Sequence, residues 1–329
     1  MAFSKDVLAF DRPAEVTRIS TWFKASVMGT LKKRGVVVGL SGGIDSSVCA
    51  ALAVKALGPE KVFGIFMPEH HSAGESLELG QLLAKSLGIQ AITESIAPAL
   101  EGAGCYARQD EAIRAVFPEY GTGWKSKITL PSIVDSDRLN VFQLTVQSPT
   151  GEMKTARMPL TSYLQLVAAT NYKQRVRKMV EYYHADRLNF AVVGTPNRLE
   201  YDQGFFVKQG DGTADIKPIA HLYKTQVYAL AETLGVPEDI RRRPPTTDTY
   251  SLPQTQEEFY FALPYDRMDL CLWAVNHQVP AAEVAPVLNL SAEQVERVFK
   301  DIASKRRATR YGHLPPMLVE PIFHETHEL

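Results

Sequence analysis

Cysteine is scarce in this chain: Cys49, Cys105 and Cys271 are the only three in 329 residues, and no two are spaced CxxC. That scarcity disfavours a disulfide framework, a structural zinc site and the persulfide relay that some sulfur-transfer enzymes need. A charge excess of either sign is also lacking. Lys plus Arg number 36 against 37 Asp plus Glu, a net charge of −1, which argues against a general nucleic-acid or membrane-surface binder. No run of about 18 uncharged apolar residues occurs. The opening MAFSKDVLAFDRP carries early Lys and Asp where a signal peptide would have an apolar core. Internal repeats and low-complexity segments are missing too. The expectation is a soluble, cytoplasmic protein, and 45% hydrophobic residues supply one large core or two small ones.

What is present is a rhythm. A helical pattern over 14–33 precedes Gly35–Leu40 (GVVVGL), a β-branched run of the buried parallel-strand type. Ser46–Leu57 reads as a helix stopped by Gly58-Pro59, Lys61–Met67 as a strand, Glu75–Leu87 as a helix closed by Gly88, and Ile89–Ile96 as a strand. Later, Tyr163–Arg187 reads as a long helix, Phe190–Val193 as a strand and Tyr223–Leu234 as a helix. Such alternation implies an α/β fold, a doubly wound parallel sheet with helices on both faces and ligands at the carboxyl ends of its strands. Residues 101–160 interrupt it. Phe142, Leu144 and Val146 alternate with polar residues, Ser148-Pro149-Thr150-Gly151 supplies a turn, and Met153–Met158 can return as a partner strand. This is an inserted β-hairpin region within a single domain spanning 1–329, either a surface elaboration or a lid. Near the end, Ser291 and Gln294 make a capping-box pattern opening a helix through about Arg307.

The strongest chemical signal is Ser41-Gly42-Gly43-Ile44-Asp45-Ser46-Ser47, directly after the first strand and opening a helix. Gly42 and Gly43 let the backbone turn tightly and aim its N–H groups at phosphate oxygens. The hydroxyls of Ser41, Ser46 and Ser47 add donors, and the helix N-terminus adds partial positive charge. A carboxylate in a phosphate cradle repels its ligand unless a cation intervenes, so Asp45 implies Mg²⁺. No Lys follows the last glycine, so this is not a Walker A loop. It resembles the SGGxDS loop of the PP-loop ATP pyrophosphatases (adenine nucleotide alpha-hydrolase-like), which cleave ATP between its α and β phosphates.

A second constellation follows. Asn171 and Arg175 lie four apart on one predicted helix. Thr195 and Glu200 follow the FAVV strand, then come Phe205, Lys208 and Asp211 in GFFVKQGDGTAD, Lys224 in YKTQ and Thr246 in PPTTD. Glu200 can complete a Mg²⁺ site with Asp45 and the Thr246 hydroxyl. Lys224 can neutralise phosphate charge, and Phe205 offers a face to a flat ring. Taken singly, each of these is an ordinary surface charge, core aromatic or turn. Their order and spacing, over about residues 14–100 and 161–310, resemble the NAD synthetase family.

That resemblance implies a ligase. The carboxylate of nicotinic acid adenine dinucleotide attacks ATP, giving an acyl-adenylate and pyrophosphate, and ammonia then displaces AMP to form NAD. It assigns Ser41, Gly42, Gly43, Asp45, Ser46, Ser47, Met67, Thr195, Lys224 and Thr246 to ATP. Asp45, Glu200 and Thr246 go to Mg²⁺, and Arg175, Phe205, Lys208 and Asp211 to the dinucleotide, with Lys305 and Arg306 as a further anion clamp. Asp45, Lys224 and Asp211 would be catalytic, Asp211 by orienting ammonia or taking its proton. It also implies a homodimer with the dinucleotide at the interface, the helix over 161–187 and the C-terminus being the candidate contacts. Glutamine-dependent members carry an amidohydrolase domain ahead of the synthetase. About 34 residues precede the first strand here, so free ammonia is expected, or a separate glutaminase. The chain departs from the pattern at Pro196, Arg198, Leu199, Val207, Gln209, Thr247 and Ser304, mostly on the acceptor side. Two alternatives therefore stand: a related adenylating ligase for another carboxylic acid, and a nucleotide-binding protein of the same fold that does no chemistry.

Overall fold

The computed structural model of the chain describes residues 3–72, 74–129, 142–245, 250–261 and 263–320. Helix α1 (Arg12–Lys24) runs into a π-helical turn, Ala25–Thr30, where the sequence pattern suggests one uninterrupted helix. Then β1 (Val36–Gly39), α2 (Ile44–Leu57), β2 (Val62–Phe66), α3 (Gly74–Leu87) and β3 (Gln90–Thr93) alternate as expected. Two helices, α4 (Ala97–Gly102) and α5 (Cys105–Arg114), lead to β4 (Lys125–Thr129), β5 (Gln143–Gln147) and β6 (Met153–Arg157). The 29-residue α6 (Leu160–Leu188) returns the chain to β7 (Ala191–Val192). After it come α7 (Arg198–Gln203), α8 (Lys224–Thr233), α9 (Glu238–Arg242), α10 (Tyr265–Asn276), α11 (Ala281–Leu288) and α12 (Ala292–His313).

Strands β3, β2, β1 and β7 form one parallel sheet in that order, with Val36 paired to both Val62 and Ala191. Both faces are covered, which is why β1 is apolar at successive positions. Val36 and Val38 pack on one face with Phe23, Leu52 and Leu230 from α1, α2 and α8. Val37 and Val192 pack on the other with Val176 and Val180 from α6. Because β2 and β3 extend to one side of β1 and β7 to the other, the strand order reverses beside β1. A crevice opens at the carboxyl ends of strands at such a reversal. No helix among the described residues is long and apolar enough to cross a membrane.

The hairpin expected at 142–158 is present as β5 and β6, paired antiparallel, but β4 adds a third strand on the other side of β5. Strand β4 escapes a reading by hydrophobic alternation because one of its inward residues is Ser126, fully buried beside Ile128. The sequence pattern also leaves 265–288 unassigned. There α10 and α11 pack with α12 around Met268, Val284 and Val298 as a second core. The cap at Ser291 forms as the spacing indicates, Ser291 Oγ accepting from the Gln294 amide.

Between β1 and α2, Gly42 adopts a left-handed φ of +71°, and a Cβ there would lie 2.4 Å from the Ser76 carbonyl oxygen. Gly43 has an ordinary φ of −89° and more room. Gly42→Ala should therefore lower the unfolding free energy by at least about 2 kcal/mol, from the left-handed backbone plus the clash. Gly43→Ala should cost markedly less. Urea midpoints of the two variants check this.

Candidate active site

The phosphate-type loop caps α2 with Gly43 and lies at the strand reversal. Its hydroxyls are partly spent locally. Ser46 Oγ and Ser47 Oγ donate to the Gly43 carbonyl at 3.0 and 2.8 Å, and the Gly43 amide donates to Ser41 Oγ at 3.3 Å. Ser47 is fully buried, while Ser41, Gly43, Asp45 and Ser46 line a cavity of about 600 Å³.

At the loop's edge two acids face inward. Asp45, in the first turn of α2, takes the ammonium of Lys224, the first residue of α8, on Oδ2. Asn197 donates from Nδ2 both to Asp45 Oδ1 at 3.2 Å and to Glu200 Oε2 at 3.0 Å. Asn197 and Glu200 also close a capping box around the start of α7, so local helix capping fixes where Glu200 points. Glu200 Oε1 accepts from Gln256 at 3.1 Å. Burial above all, and then the Asp45 charge, push the Glu200 carboxyl up to about 8, against the pull of Lys224 and the Asn197 amide. Burial works to deprotonate Lys224, but Asp45 and Glu200 outweigh it and hold the ammonium above its ordinary value. Lys224 is fully buried behind Asp45 and does not line the cavity.

This oxygen-rich pair fits a hard divalent cation. Among the described residues no group of three or more His, Cys, Asp or Glu gathers, and Mg²⁺ needs none, since it takes one or two carboxylates and completes its shell with water and phosphate. Two like charges close enough to share one amide donor gain more from a cation than from a lone ammonium. Thr246, expected to join them, lies outside the described residues.

Helix α6 forms one long wall. Tyr163, Val167, Thr170, Gln174, Lys178 and Glu181 all line the cavity, spaced by threes and fours as one helix face must be. Asn171 shares that face, but Arg175, about 40° further round, is exposed and donates to the Lys208 carbonyl at 3.3 Å. The expectation that Asn171 and Arg175 act on one face is thus corrected for the single chain. The stripe turns the other way because Val176 and Val180 must meet the sheet. The sequence reading missed Lys178 and Glu181, which pair at 2.6 Å almost fully buried in that wall, with Glu181 against Gly39. Their i, i+3 spacing on the stripe through Asn171 was the available signal. Arg243 was missed as well. It lines the cavity and holds Ser76 Oγ at 2.9 Å, beside the loop.

Met67, Thr195, Phe205 and Asp211 line the cavity. Phe205 stacks on Tyr260 at 4.6 Å. Asp211 Oδ1 accepts from the Val207 amide at 2.7 Å, and burial raises its carboxyl above the ordinary range while that amide, Lys178 and Arg177 oppose the rise. The other expected anion-binding cations stand outside the cavity. Lys208 donates to the carbonyls of Tyr311 and Leu314 at the end of α12. Lys305 is held by Asp301 and the Tyr260 carbonyl, and Arg306 forks onto Asp202. Each already has a partner within the chain.

Glu200 carries a measurable consequence. Its folded-state value of about 8 lies above the ordinary 4.5, so the folded chain binds this proton more tightly than the unfolded chain. In metal-free protein that stability is complete below about pH 4.5 and is lost as pH rises through about 8. Glu200→Gln should flatten the decline between about pH 5 and 8, read as urea midpoints in chelator. A slope identical to wild type would mean Glu200 is ionised throughout.

Comparison with known proteins places the chain among relatives. The family model described as NAD synthase matches residues 15–116 and 132–310. The NH(3)-dependent NAD(+) synthetase of Rhizobium meliloti (strain 1021) is 60% identical over 322 residues, covering 98% of this chain and 96% of its own length. That of Mesorhizobium japonicum (strain LMG 29417 / CECT 9101 / MAFF 303099) is 61% identical over 312 residues, 95% of this chain and 98% of its own. Among solved structures, the NMN synthetase from Francisella tularensis is 25% identical and superposes with a TM-score of 0.64, covering 95% of this chain and all of its own.

Proposed function

The chain belongs to the NAD synthase family, and we propose that its cavity amidates nicotinic acid adenine dinucleotide with ATP and ammonia. The reaction is that of a carbon–nitrogen ligase. The acid's carboxylate oxygen attacks the α-phosphorus of ATP, the bond to the β-phosphate oxygen breaks, and pyrophosphate departs. The ammonia lone pair then attacks the acyl carbon, the acyl–oxygen bond breaks, AMP leaves, and the nitrogen sheds a proton. One observation carries the assignment of residues: Asp45 and Glu200, from two elements on opposite sides of the strand reversal, share the Asn197 amide at the mouth of the glycine loop.

Loop amides around Gly42 and Gly43, with Ser41 and Ser46, would hold the terminal phosphates, and Met67 and Thr195 would border the same nucleotide. Asp45 and Glu200 would hold Mg²⁺, which supplies charge screening between ATP and the incoming carboxylate. Lys224 holds the Asp45 carboxylate in place from behind. Phe205 would take a flat ring of the acceptor, and Asp211, whose raised carboxyl suits proton acceptance, would take the proton from the attacking nitrogen. Placement and electrostatics supply most of the rate in such a site.

We further propose a homodimer. Leu160, Leu164, Met179 and Tyr183 are 70, 55, 60 and 63% exposed on α6, an apolar outer face that a second copy would cover. Arg175 lies on that outer side, so pairing would bring it toward the acceptor. Met179→Glu with Tyr183→Glu should shift the protein from twice the 36.5 kDa chain mass to the monomer on size exclusion. Unchanged elution would reject this interface.

The structural likeness to an NMN synthetase raises a second acceptor, the mononucleotide acid. Purified protein given ATP, Mg²⁺, ammonium and either acid separates the two. NAD formed one-for-one with AMP and pyrophosphate is expected from the dinucleotide, and ADP with orthophosphate would refute the mechanism. Asp45→Asn should cut kcat at least about a hundredfold and also lower the thermal midpoint, because the buried Lys224 ammonium loses its partner.

A further inference from the structure

Stacked aromatic rings stand at the end of the α6 wall away from the glycine loop. Phe142, leading into β5, lies on Tyr163 of α6 with centroids 4.2 Å apart and planes 17° from parallel, and both rings line the cavity. Glu181, at the opposite end of the same helix face, abuts Gly39 beside the loop. Eighteen residues separate Tyr163 from Glu181, which at a rise of about 1.5 Å per residue is roughly 27 Å. A nucleotide whose phosphates rest on the loop leaves the Tyr163 end to the other substrate. Between the two ends, Phe205, Phe259 and Tyr250 follow one another at centroid spacings of 5.7 Å. The cavity thus carries a run of aromatic rings with Phe205 at one end and the Phe142–Tyr163 pair at the other.

A dinucleotide acceptor carries two flat rings and a mononucleotide only one. Resting on the reading of this site as an amide ligase for a nicotinate nucleotide, we propose that Phe142 and Tyr163 stack the distal adenine of the dinucleotide. The β4–β6 insert is on this account the element that makes the enzyme prefer a dinucleotide acid to a mononucleotide acid. The insert is fixed firmly enough for this task. The free edge of β4 is bonded to the segment 250–254, with the Ser126 amide on Ser251 Oγ at 2.9 Å and the Leu252 amide on the Ser126 carbonyl at 3.1 Å.

The test is steady-state kinetics of the intact enzyme and of Phe142→Ala, Phe142→Leu and Phe142→Tyr, varying ATP, the dinucleotide acid and the mononucleotide acid in turn. Losing one stacked base should raise the dinucleotide KM roughly tenfold or more. ATP KM and mononucleotide kinetics should stay within about twofold of wild type, and Phe142→Tyr should restore the dinucleotide KM. If Ala lowers the melting temperature, Leu, which keeps the packing and loses only the ring face, carries the comparison. Active wild type with an unchanged dinucleotide KM in the Ala and Leu variants overturns the proposal, as does a rise in ATP KM instead. Wild type that makes no NAD would overturn the ligase reading itself.

Discussion

A buried carboxylate, Glu200, and a half-buried one, Asp45, meet at the end of a parallel sheet with the buried Lys224 behind Asp45, and they set the terms for the rest of this molecule. Asp45 and Glu200 each lose water, and each feels the other's charge. Burial above all, and then the Asp45 charge, push the Glu200 carboxyl to about 8, with Lys224 opposing the rise. Removing one partner from such a buried set typically costs about 3–5 kcal/mol, so every element that places these side chains is held in turn. Lys224 is fixed because Asp269 of α10 accepts the amides of Lys224 and Thr225 at 3.1 and 2.7 Å, capping α8 from outside. Glu200 is fixed by the capping box of α7 and by Gln256, which also accepts from the Tyr265 hydroxyl at 2.7 Å. The second helical core is therefore the support that keeps an unfavourable charge arrangement from relaxing.

Such an arrangement is retained where a ligand completes it. The strand reversal brings the amino end of α2, with its aligned amides, to the same point as the carboxyl end of β7 and the start of α7. Positive partial charge comes from one side and carboxylate from the other. A polyphosphate bridged by a divalent cation matches that polarity: phosphate against the amides, metal against the acids. Neither half alone would justify burying the other.

Much of this was legible from sequence because it depends on local chemistry. A β-branched run followed by Ser-Gly-Gly-x-Asp-Ser requires a strand, a left-handed glycine and a helix start within a few residues, and spacing alone encodes that. The capping pair Ser291/Gln294 sits three apart for the same reason. What was not legible depends on rotation and on partners distant in sequence. Arg175 differs from Gln174 by one position, yet the sheet's demand for Val176 and Val180 puts one in the cavity and the other in solvent. Lys305 and Arg306 read as a basic run, but Asp301, one turn earlier, and Asp202, far away in the chain, absorb their charge. Strand β4 hides because its buried Ser126 takes its bonding from residues 251 and 252, which no local window contains.

The insert's attachment has a consequence for how the two halves of the site communicate. The segment bonded to β4 at 250–254 continues within two residues to Gln256, whose amide holds Glu200. The Gln254 side chain, itself buried, bonds to the Ile128 carbonyl on β4. A short, hydrogen-bonded path therefore joins the aromatic wall at one end of the cavity to an acidic residue at the other. Packed interiors transmit small displacements because they have few voids to absorb them. The far wall and Glu200 are thus held by one continuous bonded segment. An element that looks peripheral in sequence is, by these bonds, part of the frame that holds Glu200.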